Sequence, residues 1–426
     1  MVALSEVNAP TKQTVAFVGL GYIGLPTAVV LAQHGVEVTG VDINPETVDA
    51  ANSGNVNIVE PGLETGLKKA LESGHFKATT DMVHADAYIV AVPTPFDENH
   101  NVDMKYIYSA VESIAPQLQG DELVILESTS PPGTTAKMAK RILELRPDLV
   151  ADGAENPNNA PVLYFAHCPE RILPGNAMEE LKTNDRIIGG QTPEATRRAT
   201  EIYRSFCSGE LLPTDDKTAE MAKLTENSFR DVNIAFANEL SLICDGLGID
   251  VWELIELANH HPLVNILQPG PGVGGHCIAV DPWFIVAADK ENAKIIKTAR
   301  EINDGKPEWV VNKVAEAIES TKAKSVAVLG LAFKANIDDL RESPSLHIAE
   351  MVAQRFPSVN VLAVEPNVAE LPAALAGYSN VSLTDTAEAI EKAPVVLLLV
   401  DHDEFKDVRA AQLQGKKIVD TKGLWK

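Results

Sequence analysis

Cysteine is scarce in this chain. There are four in 426 residues (Cys168, Cys207, Cys244 and Cys277), far apart, with no CxxC pair and no Cys/His spacing suited to a metal. That excludes a disulfide framework and a zinc site. No apolar run is long enough to span a bilayer, and even Val395 to Val400 is only strand length. Cations are also in deficit: 36 Lys and Arg against 60 Asp and Glu leave a net charge of −24. A nucleic-acid partner needs a basic face and is excluded on that ground. A chain this acidic can hold an anionic ligand only by gathering its few cations, so a Lys or Arg inside a motif carries more information than usual. Met1 to Gln13 lack the basic-then-apolar pattern of a secretory signal, and a cytoplasmic protein with a short polar arm is expected.

What the chain does have is a glycine-rich start. Thr14 to Gly19 reads as a buried strand and runs straight into Gly19-Leu20-Gly21-Tyr22-Ile23-Gly24. Leu25 to His34 has a helical pattern closed by Gly35, and Val36 to Val41 is a second strand ending at Asp42. The glycines permit a tight turn and close approach to a pyrophosphate seated on the helix N-terminus. Asp42 would accept from a ribose 2′-hydroxyl and repel a 2′-phosphate, which favours NAD over NADP. Further strands follow at the rhythm of an α/β sheet: 87–92, 122–127, 162–166 and 186–189. Three end in polar residues, around Thr94, around Ser128 and Thr129, and at Cys168-Pro169-Glu170-Arg171. The C-terminal edge of an open parallel sheet is where ligands bind.

From Thr218 to Leu247 the pattern predicts one long amphipathic helix, with Lys223 and Asn227 on one face and Arg230 three residues further on. A loop rich in Gly and Pro follows, Pro269 to Gly275, and ends at His276-Cys277, with Asp281 four residues beyond. Such a loop cannot continue a helix and suits a close approach of backbone to ligand. Taken alone it leaves two readings open, a presented thiol or a small buried hydrophobe. A helix is expected over 290–303. Lys324 to Gly330 then opens a second α/β unit whose turn, Gly330-Leu331-Ala332-Phe333-Lys334, lacks the later fingerprint glycines. Lys334 stands where a phosphate could lie, and Arg341 is the natural anion ligand of an otherwise acidic stretch. Strands at 359–364, 395–400 and 417–419 complete a small sheet before Lys422.

A thiol beside an NAD site suggests more than alcohol oxidation. A thiolate adds to an aldehyde, the thiohemiacetal loses a second hydride, and the thioester is hydrolysed, which makes a four-electron oxidation to a carboxylate. Lys223 and Asn227 could donate to the developing oxyanion, and Asp281 could orient Lys223 or a water.

Several segments together resemble the UDP-glucose/GDP-mannose dehydrogenase superfamily of nucleotide-sugar 6-dehydrogenases. They are the Gly19–Gly24 turn, Glu127-Ser128-Thr129, Ala219-Glu220 through Lys223 to Asn227, Gly274-Gly275-His276-Cys277, and Phe333-Lys334 with Asp339-Leu340-Arg341-Glu342-Ser343. Within it, Cys168 to Arg171, Leu224 to Ile234 and His276 to Phe284 look most like the branch oxidising N-acetylmannosamine nucleotides. The resemblance implies two Rossmann-like α/β lobes joined by a central helical domain: an NAD-binding domain at 1–206, a helical and dimerisation domain carrying the Cys loop at 207–305, and a UDP-sugar-binding domain at 306–426. It implies Cys277 as nucleophile, with Lys223, Asn227, Asp281, Glu170 and Thr129 in the chemistry. NAD would be held by Gly19, Gly21, Tyr22, Ile23, Gly24, Asp42, Thr94, Thr129 and Arg341. The sugar nucleotide would meet Arg171, Ile172, Lys223, Asn227, Arg230, His261, Gly274, Phe333, Lys334 and Lys422. A homodimer through the long helix, no resident metal, no membrane, and a place in cell-envelope polysaccharide synthesis are likewise expected. Two departures stand out. Pro174 replaces a second acid common in the UDP-glucose enzymes, and no Arg lies between Trp252 and Cys277, so a sugar contact at Leu263 is not expected. The same chemistry on another nucleotide sugar, or a non-catalytic NAD- and nucleotide-binding scaffold, are the alternatives.

Overall fold

The computed structural model describes residues 13–58, 60–97, 101–172, 175–275 and 277–425. The N-terminal arm, Pro174 and His276 lie outside them. The chain divides into two compact units between Thr225 and Glu226.

The first unit is built on β1 (Thr14–Val18), β2 (Glu37–Val41), β3 (Phe76–Thr79), β4 (Ala87–Val90), β5 (Leu123–Leu126), β6 (Val150–Ala151), β7 (Val162–His167), β8 (Arg186–Gly190) and β9 (Leu211–Asp215). Their order is β3-β2-β1-β4-β5-β7-β8-β9, with β6 on β7. Strands β1, β4 and β5 are near-continuous apolar runs because helices cover both faces, and two cores form, one on each side. The chain winds outward from β1 to β3, then returns to β4 beside β1, placing the switch point at the glycine turn. The sheet is not parallel throughout: β8 runs antiparallel to β7, pairing Ala166 with Gly190 and His167 with Gly189. Beyond residue 206, β9 still belongs to this sheet, in parallel register with β8.

The second unit carries a smaller, wholly parallel sheet of β10 (Ser325–Leu329), β11 (Asn360–Val364), β12 (Val381–Leu383), β13 (Val395–Leu398) and β14 (Lys417–Asp420), ordered β12-β11-β10-β13-β14. The long central helix spans Asp216–Leu247. The helix expected at 290–303 instead runs Lys294–Thr321 with Pro307 inside it. Gly305 and Pro307 are the residues that read as a stop. The helix survives the lost backbone bond because Val310, Val311, Val314 and Ala317 are buried in the core of the small sheet. Among the described residues no helix is long and apolar enough to cross a membrane.

Candidate active site

At the first switch point the glycines are there for space. Gly19 has φ +95, and a Cβ on Gly24 would lie 1.8 Å from the Gly19 carbonyl oxygen. Gly21 is different: a Cβ there would meet nothing within 4 Å among the described residues. Its position is open, at the N-terminal end of the helix Gly24–Gln33, and a helix N-terminus is where backbone amides favour an anion. Asp42 ends β2 and accepts from Leu20 N at 2.8 Å and Asn44 N at 2.9 Å, which fixes the carboxylate beside the turn. Ile43 beside it is 88% exposed, an apolar surface that the sequence reading missed. Open turn, oriented acid and apolar neighbour fit a dinucleotide. Tyr22 donates its hydroxyl to buried Glu60 at 2.9 Å, and Glu60 also accepts from Gly175 N and Ala177 N. Thr94 donates to the Thr129 carbonyl at 2.7 Å, and Ser128 to the Val92 carbonyl at 2.7 Å, lacing the ends of β4 and β5.

Beneath that edge lies a buried charge cluster. Arg186 on β8 reaches Glu170 at 2.5 Å and Glu127 at 3.5 Å, and all three are buried. The backbone amide of Arg171 also donates to Glu170 at 2.6 Å, while the Arg171 guanidinium donates to the Asp185 carbonyl. Burial, and next the charge of Glu170, push the Glu127 carboxyl up to about 8. Ile172 packs partly buried against the core beside this segment. Lys223, half-buried, sits on the central helix, three residues past buried Glu220. Glu220 accepts from Gly133 N and from the amide and hydroxyl of Thr135, so it caps the helix Thr134–Leu145 from another element. Burial raises its carboxyl to about 7.

In the second unit, the Cys loop is gripped from below. Asn238 accepts from Gly270 N at 2.9 Å and donates to Asn303, which donates in turn to Asp231, itself paired with Arg300. The loop then docks on the second lobe. Gly275 N donates to the Glu342 carbonyl, and a Cβ on Gly274 would fall 2.6 Å from Pro344 and 3.0 Å from Phe333. Glycine at 274 is therefore a packing requirement. Cys277 is exposed, whereas the other three cysteines are buried. Its carbonyl accepts from the amides of Val280 and Asp281, which start the helix Asp281–Ala288. Asp281 is buried and accepts from the Asn227 amide at 2.5 Å, joining that helix to the central one. Arg230 is exposed on the central helix, and His261 accepts from Leu263 N in a loop.

The second switch point repeats the first with its acid occupied. Gly330 N donates to Val364 O as Gly19 N does to Val41 O. Glu365 at the tip of β11 accepts from Leu331 N and Ala332 N at 2.8 and 2.9 Å, and faces His402 Nε2 at 3.1 Å. Although burial opposes it, His402 and the two amides hold the Glu365 carboxyl down to about 2. The other ring nitrogen of His402 accepts from Asn336 N, which ties down the turn carrying Phe333 and exposed Lys334. Lys422 pairs with Asp401 at 3.1 Å, and Arg341 with Asp339 through two contacts of 2.9 and 2.7 Å. Among the described residues no group of His, Cys, Asp and Glu gathers as a metal site.

The sequence-predicted residues thus fall into two sets. Gly19, Gly21, Tyr22, Ile23, Gly24, Asp42, Thr94, Thr129, Glu170, Arg171, Ile172 and Lys223 are in the first unit; Asn227, Arg230, His261, Gly274, Cys277, Asp281, Phe333, Lys334, Arg341 and Lys422 are in the second. Glu60, Arg186, Asn238, Glu365 and His402 were missed, because each is recognisable only by partners distant in sequence, and Glu127, read as part of a strand-end motif, was given no role of its own.

Two switch points of this kind on one chain define a protein that holds a dinucleotide and a second nucleotide-type ligand. The chain belongs to the UDP-glucose/GDP-mannose dehydrogenase family, whose NAD binding domain matches residues 13–207, central domain 217–305 and UDP binding domain 327–426. It is an NAD-dependent nucleotide-sugar dehydrogenase with a UDP-sugar substrate. A UDP-N-acetyl-D-mannosamine dehydrogenase from Escherichia coli (strain K12) is 53% identical over 421 residues, covering 97% of this chain and 99% of that protein. An NDP-N-acetyl-D-galactosaminuronic acid dehydrogenase from Ralstonia nicotianae is 52% identical over 414 residues, covering 97% and 96%. A solved UDP-N-acetyl-mannosamine dehydrogenase from S. aureus superposes with a TM-score of 0.82 at 43% identity, covering 96% of this chain and 95% of that one.

Proposed function

We propose that the protein oxidises UDP-N-acetyl-D-mannosamine at C6 to the uronate in two two-electron steps, through a thiohemiacetal and a thioester on Cys277. The observation that carries this reading is the exposed thiol of Cys277 at the end of a loop whose glycines pack on the nucleotide-side turn of Phe333. Bound NAD supplies the hydride acceptor, once for each two-electron step. The primary alcohol first loses its hydroxyl proton to solvent and a hydride from C6 to that acceptor. The Cys277 thiolate then adds to the aldehyde carbon, and Lys223 and Asn227 donate to the oxygen as its charge grows. After the second hydride leaves, water adds to the thioester carbon, Glu170 takes its proton, and the thiolate departs. Asp281 holds Asn227 in position through their 2.5 Å hydrogen bond. Thr129 would help to hold NAD, and Arg171, Ile172, Arg230, His261, Gly274, Phe333, Lys334 and Lys422 would hold the nucleotide and sugar, so that distant binding energy places the reacting carbon.

The Ralstonia relative favours a second reading, the same chemistry on another N-acetylated nucleotide sugar. We also place the protein in the cytoplasm, as a dimer formed through the central helix. A panel of UDP-N-acetylmannosamine, UDP-N-acetylgalactosamine, UDP-N-acetylglucosamine, UDP-glucose and GDP-mannose separates these readings. The mannosamine substrate is expected to turn over fastest, with two NADH formed per sugar and a carboxylate product by mass. Cys277→Ser should abolish acid formation and leave NAD affinity unchanged. One NADH per sugar with free aldehyde accumulating would remove the thioester step.

A further inference from the structure

Arg186 is the only cation facing two buried carboxylates, among the described residues, and it does not treat them alike. Glu170 takes a 2.5 Å contact from the guanidinium and a 2.6 Å hydrogen bond from Arg171 N. Glu127 has the longer 3.5 Å contact and a hydroxyl donor, Tyr203, at 3.3 Å, while its Oε2 is buried with no hydrogen-bond partner among the described residues. The Arg186 guanidinium lies on the rings of Tyr203 and Phe206, 4.9 and 5.4 Å from their centroids, so it cannot swing out to solvent. Cys168 completes the titratable surroundings of Glu127, its thiol pushed far up by burial and next by the charge of Glu127. One buried positive charge can balance one buried negative charge; a second uncompensated carboxylate costs several kcal/mol, so the pair holds a single proton between them.

We propose that Glu127 is the positioning residue that keeps one proton in the Glu127–Arg186–Glu170 cluster, so that Glu170 can accept the proton of the hydrolytic water without leaving the cluster with a net positive charge. At rest Glu127 carries the proton and Glu170 is ionised against Arg186. When Glu170 takes a proton from the water attacking the thioester, Glu127 gives its own up to solvent, and the cluster again holds one proton and one negative charge. No electron moves and no group is transferred in this exchange. The inference rests on Glu170 acting in hydrolysis, as proposed above. Burial, and next the charge of Glu170, holding the Glu127 carboxyl up to about 8 is in keeping with it.

The test is Glu127→Gln, which keeps the shape and the donor of the protonated acid but cannot release a proton. Rapid mixing with NAD and UDP-N-acetylmannosamine should give a burst approaching two NADH per subunit. A slow phase about ten- to a hundredfold below wild type should follow, with the acyl adduct on Cys277 visible by intact mass. The wild-type hydrolysis rate should show an ionisation between about pH 7 and 9 that the variant lacks. A variant with no burst, no adduct and a wild-type pH profile overturns the proposal. Glu170→Gln run beside it keeps the two claims apart. If that variant hydrolyses its adduct at the wild-type rate, the role of Glu170 fails; if it stalls while Glu127→Gln is normal, only the shared proton fails. Should Glu127→Gln not fold, a wild-type hydrolysis rate flat across that range overturns the proposal by itself.

Discussion

Two acids at equivalent places do opposite work. Asp42 and Glu365 each end the second strand of a nucleotide-type fold and accept the amide of the residue after the turn's first glycine. Asp42 is half-exposed beside an open turn, while Glu365 is buried and surrounded by Leu331 N, Ala332 N, Asn367 and His402. The first can grip a ribose; the second is a structural anchor for the turn bearing Phe333 and Lys334. The sign of its pH dependence follows. A carboxyl held down to about 2 stabilises the fold fully above its ordinary value near 4.5, and that stabilisation fades as pH falls from there through about 2. At about 1.4 kcal/mol per pKa unit the upper bound is on the order of 3 kcal/mol. Glu365→Gln should therefore unfold earlier in urea at pH 7, with the gap to wild type closing below about pH 4. A gap constant down to pH 3 would show that the carboxylate's charge is not what matters. In activity, the variant should raise the KM for the nucleotide sugar and leave that for NAD unchanged.

The elements differ in how far they could be read from sequence. The first strand, turn and helix were legible throughout, because the device is local: glycine spacing, a flanking apolar run and an acid at a fixed distance are all contiguous. The structure adds the reason for each glycine, and the reasons diverge. Gly24→Ala would drive a methyl into the Gly19 carbonyl and should destabilise the first unit and abolish NAD binding together. Gly21→Ala meets no neighbouring atom, so its melting temperature should stay within about 2 °C of wild type while NAD affinity falls at least tenfold. Equal losses of stability in the two variants would refute this division. Less legible were the antiparallel step at β8 and the continuation of the helix through Pro307, both decided by packing between distant segments. The Glu127–Arg186–Glu170 cluster and the Glu60 hub were invisible for the same reason: Glu60 and Ala177 are 117 residues apart. Glu127 and Glu170 stood in plain view at two strand ends, but only Arg186 on a third strand makes them a pair.

At the scale of the whole molecule, the part of the central helix that belongs to the second unit leaves a question. Phe229, Phe236 and Ile243 are 68%, 51% and 50% exposed, and Leu247 is 68% exposed. The first three recur every seven residues, so they line one face of the helix. Single exposed hydrophobics are ordinary, but a row of large ones along one helix is a surface meant to be covered. A chain with a net charge of −24 repels its own copies, so association needs an apolar contact of this kind to outweigh the charge. A second copy of the same helix offers the matching row under a two-fold axis. The mass in solution is then expected to be twice 45.8 kDa. Phe229→Glu with Phe236→Glu should shift the species seen by analytical ultracentrifugation to monomer, since each added carboxylate would be buried unpaired against its own copy. Both residues are exposed within the unit, so the monomer should keep its secondary structure. If the double variant sediments as wild type does, the row is not the contact. If it is monomeric yet fully active, the dimer contributes nothing to turnover.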